Sequence, residues 1–130
     1  MKRIMTAISV ATALTVMPAV ASSADTTSYA DCPSGNFCVW TGGYATGDWW
    51  GSDTNARVWN NTLANNDDTA YNNGTSGLAV LVYDGGWYND PHYCLKRGAR
   101  LTLPDNKDND GESHQWMTAS SAAAQAPCLG

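Results

Sequence analysis

The sequence predicts an all-β sandwich assembled from two similar units, and three observations carry that expectation. Val39-Trp40-Thr41-Gly42-Gly43-Tyr44 returns 43 residues later as Val82-Tyr83-Asp84-Gly85-Gly86-Trp87, with apolar, aromatic, Gly-Gly and aromatic positions in the same order. Asn65-Asn66-Asp67-Asp68-Thr69 is echoed by Asn109-Asp110-Gly111-Glu112-Ser113 at an offset of 44. Two independent signals at nearly one period indicate two copies of one β unit. Between them lie short β-forming stretches separated by turn residues, the pattern of a sandwich.

The start of the chain stands apart from that body. Lys2 and Arg3 form a positive leader, Ile4 to Val16 an apolar stretch, and Ala19-Val20-Ala21 a small-x-small cleavage site, with a second after Ala24. Residues 1–24 therefore read as an export signal. Residues 25–31 read as a flexible lead-in and 32–128 as one domain, with half-repeats of about 37–77 and 78–118. The apolar run is too short for a membrane span. Without Lys2 and Arg3, five bases (Arg57, Lys96, Arg97, Arg100, Lys107) face twelve acids, a net charge of −7. Such a chain cannot neutralise phosphates, which excludes nucleic acid and anionic membranes as partners. The expected product is a secreted, extracellular monomer.

Four cysteines in an exported chain of this size point to two disulfides rather than a metal cluster. Three pairings are formally open. Cys32 and Cys38 bracket Pro33-Ser34-Gly35-Asn36, a turn sequence that brings them together and leaves Cys94 for Cys128. Closing the short loop is worth about 2.5 kcal/mol and the long one about 4 kcal/mol.

Taken in order, Phe37 to Trp40 reads as the first strand, and Gly42-Gly43 lets the backbone bend sharply. Asp48 to Gly51 and Arg57 to Trp59 are short aromatic-rich pieces. Asn60 to Asn73 is dense in Asn and Asp, which favour loops, with a helical turn near Leu63. Leu78 to Tyr83, apolar throughout, is the strand expected at the centre. Trp87 to Tyr93 and Ala99 to Leu103 follow as strands, then a charged loop over Asp105 to Glu112. Trp116 to Thr118 reads as a last strand and Ala119 to Ala126 as a small-residue tail held by Cys128.

The cysteine pair in Cys32-Pro33-Ser34-Gly35-Asn36-Phe37-Cys38-Val39-Trp40, the half-repeat at Tyr83 and the Asn/Asp loops together resemble the secreted actinobacterial peptidase inhibitors of the streptomycete metalloproteinase inhibitor type. The resemblance spans about Asp31 to Trp116. It implies a disulfide-stapled, βγ-crystallin-like sandwich of two Greek-key motifs, and a protein that binds a secreted protease without catalysis. The crystallin motif spaces two aromatics by four residues and places Gly two beyond the second. Here Ala45 stands five after Trp40 with Gly47 in place, whereas Tyr83 and Tyr88 keep the spacing and Asp90 replaces Gly.

The same fold has a calcium signature of two Asn/Asp residues, two variable residues, Ser/Thr and Ser. Asn65, Asn66, Asp67 and Thr69 in one half, and Asn109, Asp110, Gly111 and Ser113 in the other, belong to segments that fit its first five positions. Ala70 and His114 stand at the sixth. Carboxylates, carbonyls and hydroxyls in such loops suit calcium, so calcium is the one candidate ion and no cofactor is required. Asn72-Asn73-Gly74-Thr75-Ser76 fits the same positions out of register with the repeat.

Equipment for catalysis is sparse. Glu112 is the only Glu, His92 and His114 are the only histidines, and no metalloprotease, serine-hydrolase or phosphate-loop spacing occurs. His92 reads as a surface or packing residue, and His114 as part of an exposed polar loop beside the calcium-type segment. Cys94-Leu95-Lys96-Arg97-Gly98 is the expected inhibitory loop: a disulfide anchor, a bulky apolar side chain suited to the pocket just beyond the cut of thermolysin-like enzymes, and basic residues at a turn. Two further readings stay open. One is a calcium-binding structural domain with no protease target. The other is a carbohydrate- or cell-wall-binding, toxin-like module using Trp49-Trp50 as an aromatic platform.

Overall fold

The computed structural model describes residues 28–102 and 110–130. The expected leader, its cut sites and residues 25–27 lie outside these, as do residues 103–109 in the charged loop. Two four-stranded sheets face each other. The first has the order β2-β1-β3-β6, from β1 (Phe37–Gly42), β2 (Thr46–Ser52), β3 (Thr69–Asn72) and β6 (Arg100–Thr102). The second has the order β7-β4-β5-β8, from β4 (Ala79–Gly85), β5 (Asn89–Leu95), β7 (Ser113–Met117) and β8 (Cys128–Leu129).

All pairings are antiparallel except the short β5–β8 edge. In each half a tight hairpin (β1–β2, β4–β5) is followed by a longer excursion, and the last strand returns beside the first, the Greek-key path. Each half also lends a piece to the other sheet. β6, from the second half, pairs with β3, with Leu101 opposite Ala70. Ala56, from the first half, bridges His114 on β7.

Alternation along the strands explains the core. Phe37 and Val39 of β1 meet Val80 and Val82 of β4, Tyr93 and Leu95 of β5, and Trp59, Leu63 and Ala70 between the sheets. The other faces are covered as well, which is why β4 is apolar at both parities. Leu81 and Tyr83 look outward under Ala122 and Ala126. On the outer face of the first sheet, Cys32, Cys38, Trp40 and Ala45 cluster with Tyr29 and Tyr71.

Several local expectations change. The end of the lead-in is ordered: Tyr29–Asp31 is a 3-10 turn in which Ser28 and Asp31 form a capping box. Arg100 holds it down, its guanidinium 4.4 Å from the Tyr29 ring centroid and 4.7 Å from that of Tyr71. β3 lies inside the Asn/Asp-rich stretch expected to be loop, because Phe37 to Trp40 offer it a complete ladder. The turn near Leu63 is present, with Leu63 and Ala64 N–H groups donating to the Asn60 carbonyl at 3.1 and 3.0 Å.

The strand expected from Trp87 starts at Asn89, after a 3-10 turn over Gly86–Tyr88. The small-residue tail contains α1 (Ala119–Ala123), capped by Thr118, whose hydroxyl accepts from the Ser121 N–H at 3.3 Å. The small side chains of α1 pack on the second sheet, with Ala122 fully buried in the cluster of Leu81 and Tyr83. Cys32 bonds Cys38 and Cys94 bonds Cys128, the latter pair facing each other across β5 and β8.

Candidate functional site

The repeated Gly-Gly segment builds the same corner twice. Tyr44, Ala45 and Gly47 have φ of 56°, 60° and 78°, and Trp87, Tyr88 and Asp90, each 43 places on, have 60°, 62° and 56°. Left-handed backbone at aromatic residues is costly unless the surroundings enforce it, and here a hydroxyl does. Thr69 Oγ1 donates to the Gly42 carbonyl at 2.8 Å and accepts from the Ala45 N–H at 3.3 Å. Ser113 Oγ donates to the Gly85 carbonyl at 2.6 Å and accepts from the Tyr88 N–H at 3.2 Å.

Ala45 thus takes the conformation of the missing aromatic, and Asp90 that of the missing Gly. Where Tyr88 packs on Tyr83 at 5.6 Å between ring centroids, Trp40 is instead covered by Tyr29 at 5.6 Å and stacked with Trp49 at 6.3 Å.

The corners put two aromatic side chains into solvent. Tyr44 is 78 % and Trp87 69 % exposed, and Val58 beside the second corner is 55 % exposed. The Trp87 N–H donates to the Arg57 carbonyl at 2.7 Å, the Gly86 N–H to Glu112 Oε2 at 2.8 Å, and the Arg57 guanidinium lies 5.2 Å from the Trp87 ring. Glu112 also accepts from the Asn65 carboxamide. Nothing in the letter pattern separated Trp87 from the buried aromatics; only its place at the tip of the corner does.

The two calcium-type segments turn most of their matching groups inward. Asp67 is fully buried, and its carboxylate accepts from the Gly111 N–H at 2.8 Å and the Tyr93 hydroxyl at 3.3 Å. Burial raises its pKa from 3.8 to about 7, against the pull of the hydrogen bonds from the Gly111 N–H, its own N–H and Tyr93, with the Asp110 charge adding to the rise. The same burial and the neighbouring carboxylate push the Tyr93 hydroxyl well above 10.

Thr69 and Ser113 are spent on the corners, and Asn66 Nδ2 donates to the Thr62 carbonyl at 3.2 Å. Asn109 lies outside the described residues. Among the described residues no three His, Cys, Asp or Glu side chains are grouped to hold a metal. Asp67, at a variable position of the motif, turns its carboxylate into the core, away from any ion at the surface. What these segments offer calcium is Asp110, the carboxamide oxygens of Asn65 and Asn66, and backbone carbonyls. The out-of-register match is structural: Asn72 Nδ2 donates to the Leu78 and Leu95 carbonyls at 3.1 and 3.0 Å and its Oδ1 accepts from the Gly74 N–H at 2.9 Å.

Other expected site residues move. In the Cys94-Leu95-Lys96-Arg97 segment, Cys94 and Leu95 are fully buried at the end of β5. Leu95 belongs to the inter-sheet core, so its side chain cannot enter a protease pocket; Lys96 and Arg97 remain exposed at the turn. Trp49 and Trp50 do not form one platform. As neighbours on β2 they point to opposite faces, Trp49 half-exposed over Trp40 and Trp50 packed toward Trp59.

His114 is not an exposed loop residue but a buried hub. Trp59 Nε1–H donates to its Nδ1 at 2.9 Å, which leaves the proton on Nε2 facing the Thr54 carbonyl at 2.8 Å. Desolvation lowers its pKa from 6.5 to about 4. His92 packs edge-on against Tyr93 at 5.2 Å.

Two Greek keys, exchanged third pieces and hydroxyl-clamped corners define a βγ-crystallin-like protein. Solved structures agree on the fold. One, described as the evolution of the eye lens βγ-crystallin domain fold, aligns with a TM-score of 0.58 at 14 % identity, covering 67 % of this chain and 90 % of its own. A βγ-crystallin from Ciona intestinalis gives 0.53 at 14 % identity, covering 64 % and 100 %. One from an archaeon gives 0.52 at 12 %, covering 65 % and 100 %. No curated protein matches the chain significantly. The chain belongs to peptidase inhibitor family I36, whose sequence profile matches residues 25–95. Membership makes it a non-enzymatic inhibitor domain. No helix among the described residues is long and apolar enough to cross a membrane.

Proposed function

We propose that this chain is a secreted inhibitor of extracellular peptidases, of the metallo class, acting by binding through an exposed rigid loop on a covalently clamped β body. The observation that carries the reading is the second corner, where left-handed backbone holds the Trp87 side chain in solvent while hydrogen bonds fix its main chain from both sides. Such a turn is ordered before it meets a partner, so little entropy is lost on binding. The basic leader with its small-residue cut sites and the two disulfides support export to an oxidising compartment. The metallo class is supported by the resemblance of the Cys32 to Trp40 segment, the half-repeat at Tyr83 and the Asn/Asp loops to the streptomycete metalloproteinase inhibitor type.

The test is the purified mature chain against a panel of metallo-, serine and cysteine peptidases, with tight inhibition expected for at least one metallopeptidase. Failure to inhibit any of them would sink the reading. In that event, a melting midpoint raised by calcium would favour a structural domain, and retention on insoluble polysaccharide would favour a wall-binding module.

A further inference from the structure

We infer that the peptidase is engaged by the Trp87 corner itself, with the indole as the anchor filling an apolar pocket on the enzyme; this rests on the inhibitor reading above. Trp87 and Val58 are 69 % and 55 % exposed and come from different segments that meet at this corner: the Trp87 N–H bonds the carbonyl of Arg57, the residue before Val58, and a side chain at Gly86 would touch Val58 Cγ2 at 3.9 Å. An exposed indole with a guanidinium against its ring and an exposed isopropyl group nearby has the make-up of an interface centre, where Trp and Arg carry most of the energy.

Three consecutive N–H groups are already spoken for: Gly86 to Glu112, Trp87 to Arg57 and Tyr88 to Ser113. The Arg57 guanidinium against the ring fixes the indole further.

The backbone also explains how the corner survives contact with a peptidase. An extended peptide is the shape that adds to a protein edge by main-chain pairing. Trp87 at φ 60°, ψ 33° and Tyr88 at φ 62° are left-handed, so neither flanking peptide bond can lie as a substrate without undoing the clamp. The corner is a plug, not a decoy substrate. Asp84 and Asp90 are exposed on the same β4–β5 hairpin of an acidic chain, which fits a pocket rimmed by positive charge and predicts association that slows with salt. At the matching corner in the first half, which carries Tyr44, the side chains next to Gly42, Gly43 and Gly47 are Thr46, Thr102 and Thr41, where Gly86 of the second corner has Val58.

The experiment measures inhibition constants and melting midpoints for the mature chain and the variants W87A, W87G, V58S, Y44A and K96A/R97A, using the metallopeptidase found in the panel. Trp87→Gly relieves the positive φ, so lost inhibition in that variant with an unchanged or higher midpoint reports the lost anchor and not a lost fold. We expect W87A and W87G to weaken inhibition about 100-fold and V58S about 5-fold, with Y44A and K96A/R97A within about twofold of the parent. W87G inhibiting within about twofold of the parent, or the loss falling on Y44A or K96A/R97A, would overturn the assignment. A parent that inhibits nothing overturns the inhibitor reading and the assignment together, an outcome distinct from an active parent indifferent to Trp87.

Discussion

The main-chain N–H of Gly111 donates to the buried carboxylate of Asp67 at 2.8 Å, joining two residues that hold the same place in the two halves of the chain. The duplicated segments are thus not two copies of one site. One half supplies an acid and the other the space for it, since a Cβ built on Gly111 would lie 2.8 Å from Asp67 Oδ2 and 2.5 Å from the Trp59 ring. The backbone of Gly111 is not left-handed, so the cost of adding a side chain is contact alone. Gly111→Ala should lower stability by about 1–3 kcal/mol, measured by urea denaturation; an unchanged midpoint would show that the loop can yield.

Asp67 and His114 oppose each other in their dependence on pH. The Asp67 pKa is raised on folding from 3.8 to about 7, so its contribution is fully present below about pH 3.8 and is lost as pH rises to about 7. The His114 pKa is lowered from 6.5 to about 4, so its contribution is present above pH 6.5 and lost as pH falls toward about 4. Between roughly pH 4 and pH 6.5 the two slopes cancel, and the parent's stability should be nearly flat there.

Asp67→Asn mimics the protonated acid and unmasks His114, giving stability that rises by roughly 1 kcal/mol per pH unit over that window. His114→Gln should unmask Asp67 and give the reverse slope up to about pH 7. Thermal melts of the three proteins from pH 4 to pH 8 check this; parallel curves would refute the opposition.

How much of this was legible in the letters depends on how local each feature is. β4 stood out because both of its faces are covered, which demands apolar residues at every position from Ala79 to Tyr83. The corners were legible as a repeat because the first Gly of each pair is tightly packed, a side chain at Gly42 running into Thr46 Oγ1 and one at Gly85 meeting Asn89 Cβ at 3.2 Å, although the left-handed backbone falls on Tyr44, Ala45, Trp87 and Tyr88 and not on the paired glycines. β3 was hidden because its pairing with β1 outweighs the loop preference of its Asn-rich surroundings. α1 is a single turn of Ala and Ser with no stripe to detect, and is stabilised by packing on the second sheet. His114 could not be placed from sequence, since its partners Trp59 and Thr54 are 55 and 60 residues away. Leu95 was misplaced because a bulky apolar residue beside a cysteine fits a binding loop and a strand end equally well.

The two disulfides should contribute unequally. Cys32 and Cys38 are 6 residues apart in sequence, while Cys94 and Cys128 are 34 apart. Replacing the first pair by Ser should lower stability by about 2.5 kcal/mol and the second by about 4 kcal/mol. The second change also frees β8 and loosens α1, so protection of the Ala122 N–H, bonded to the Thr118 carbonyl at 3.0 Å, should fall in hydrogen exchange for that variant alone. Denaturation that ranked the pairs in the opposite order would show that the constraint on the unfolded chain is not what the links supply.

Thr69 and Ser113 make the same two hydrogen bonds in their respective halves, so their removal separates fold from function. Each hydroxyl is fully buried and satisfies one carbonyl and one N–H of a left-handed corner. Thr69→Val and Ser113→Ala should therefore each lower stability by about 1–3 kcal/mol, because buried polar groups are left without partners. Their effects on inhibition should differ. Ser113 holds the corner that carries Trp87, and losing it lets the indole sample orientations that cannot dock, weakening inhibition roughly 10-fold at a temperature where both variants are folded. Thr69 holds the other corner, so T69V should inhibit like the parent. Equal losses in both variants would trace inhibition to overall stability, and a loss confined to T69V would move the binding surface to Tyr44.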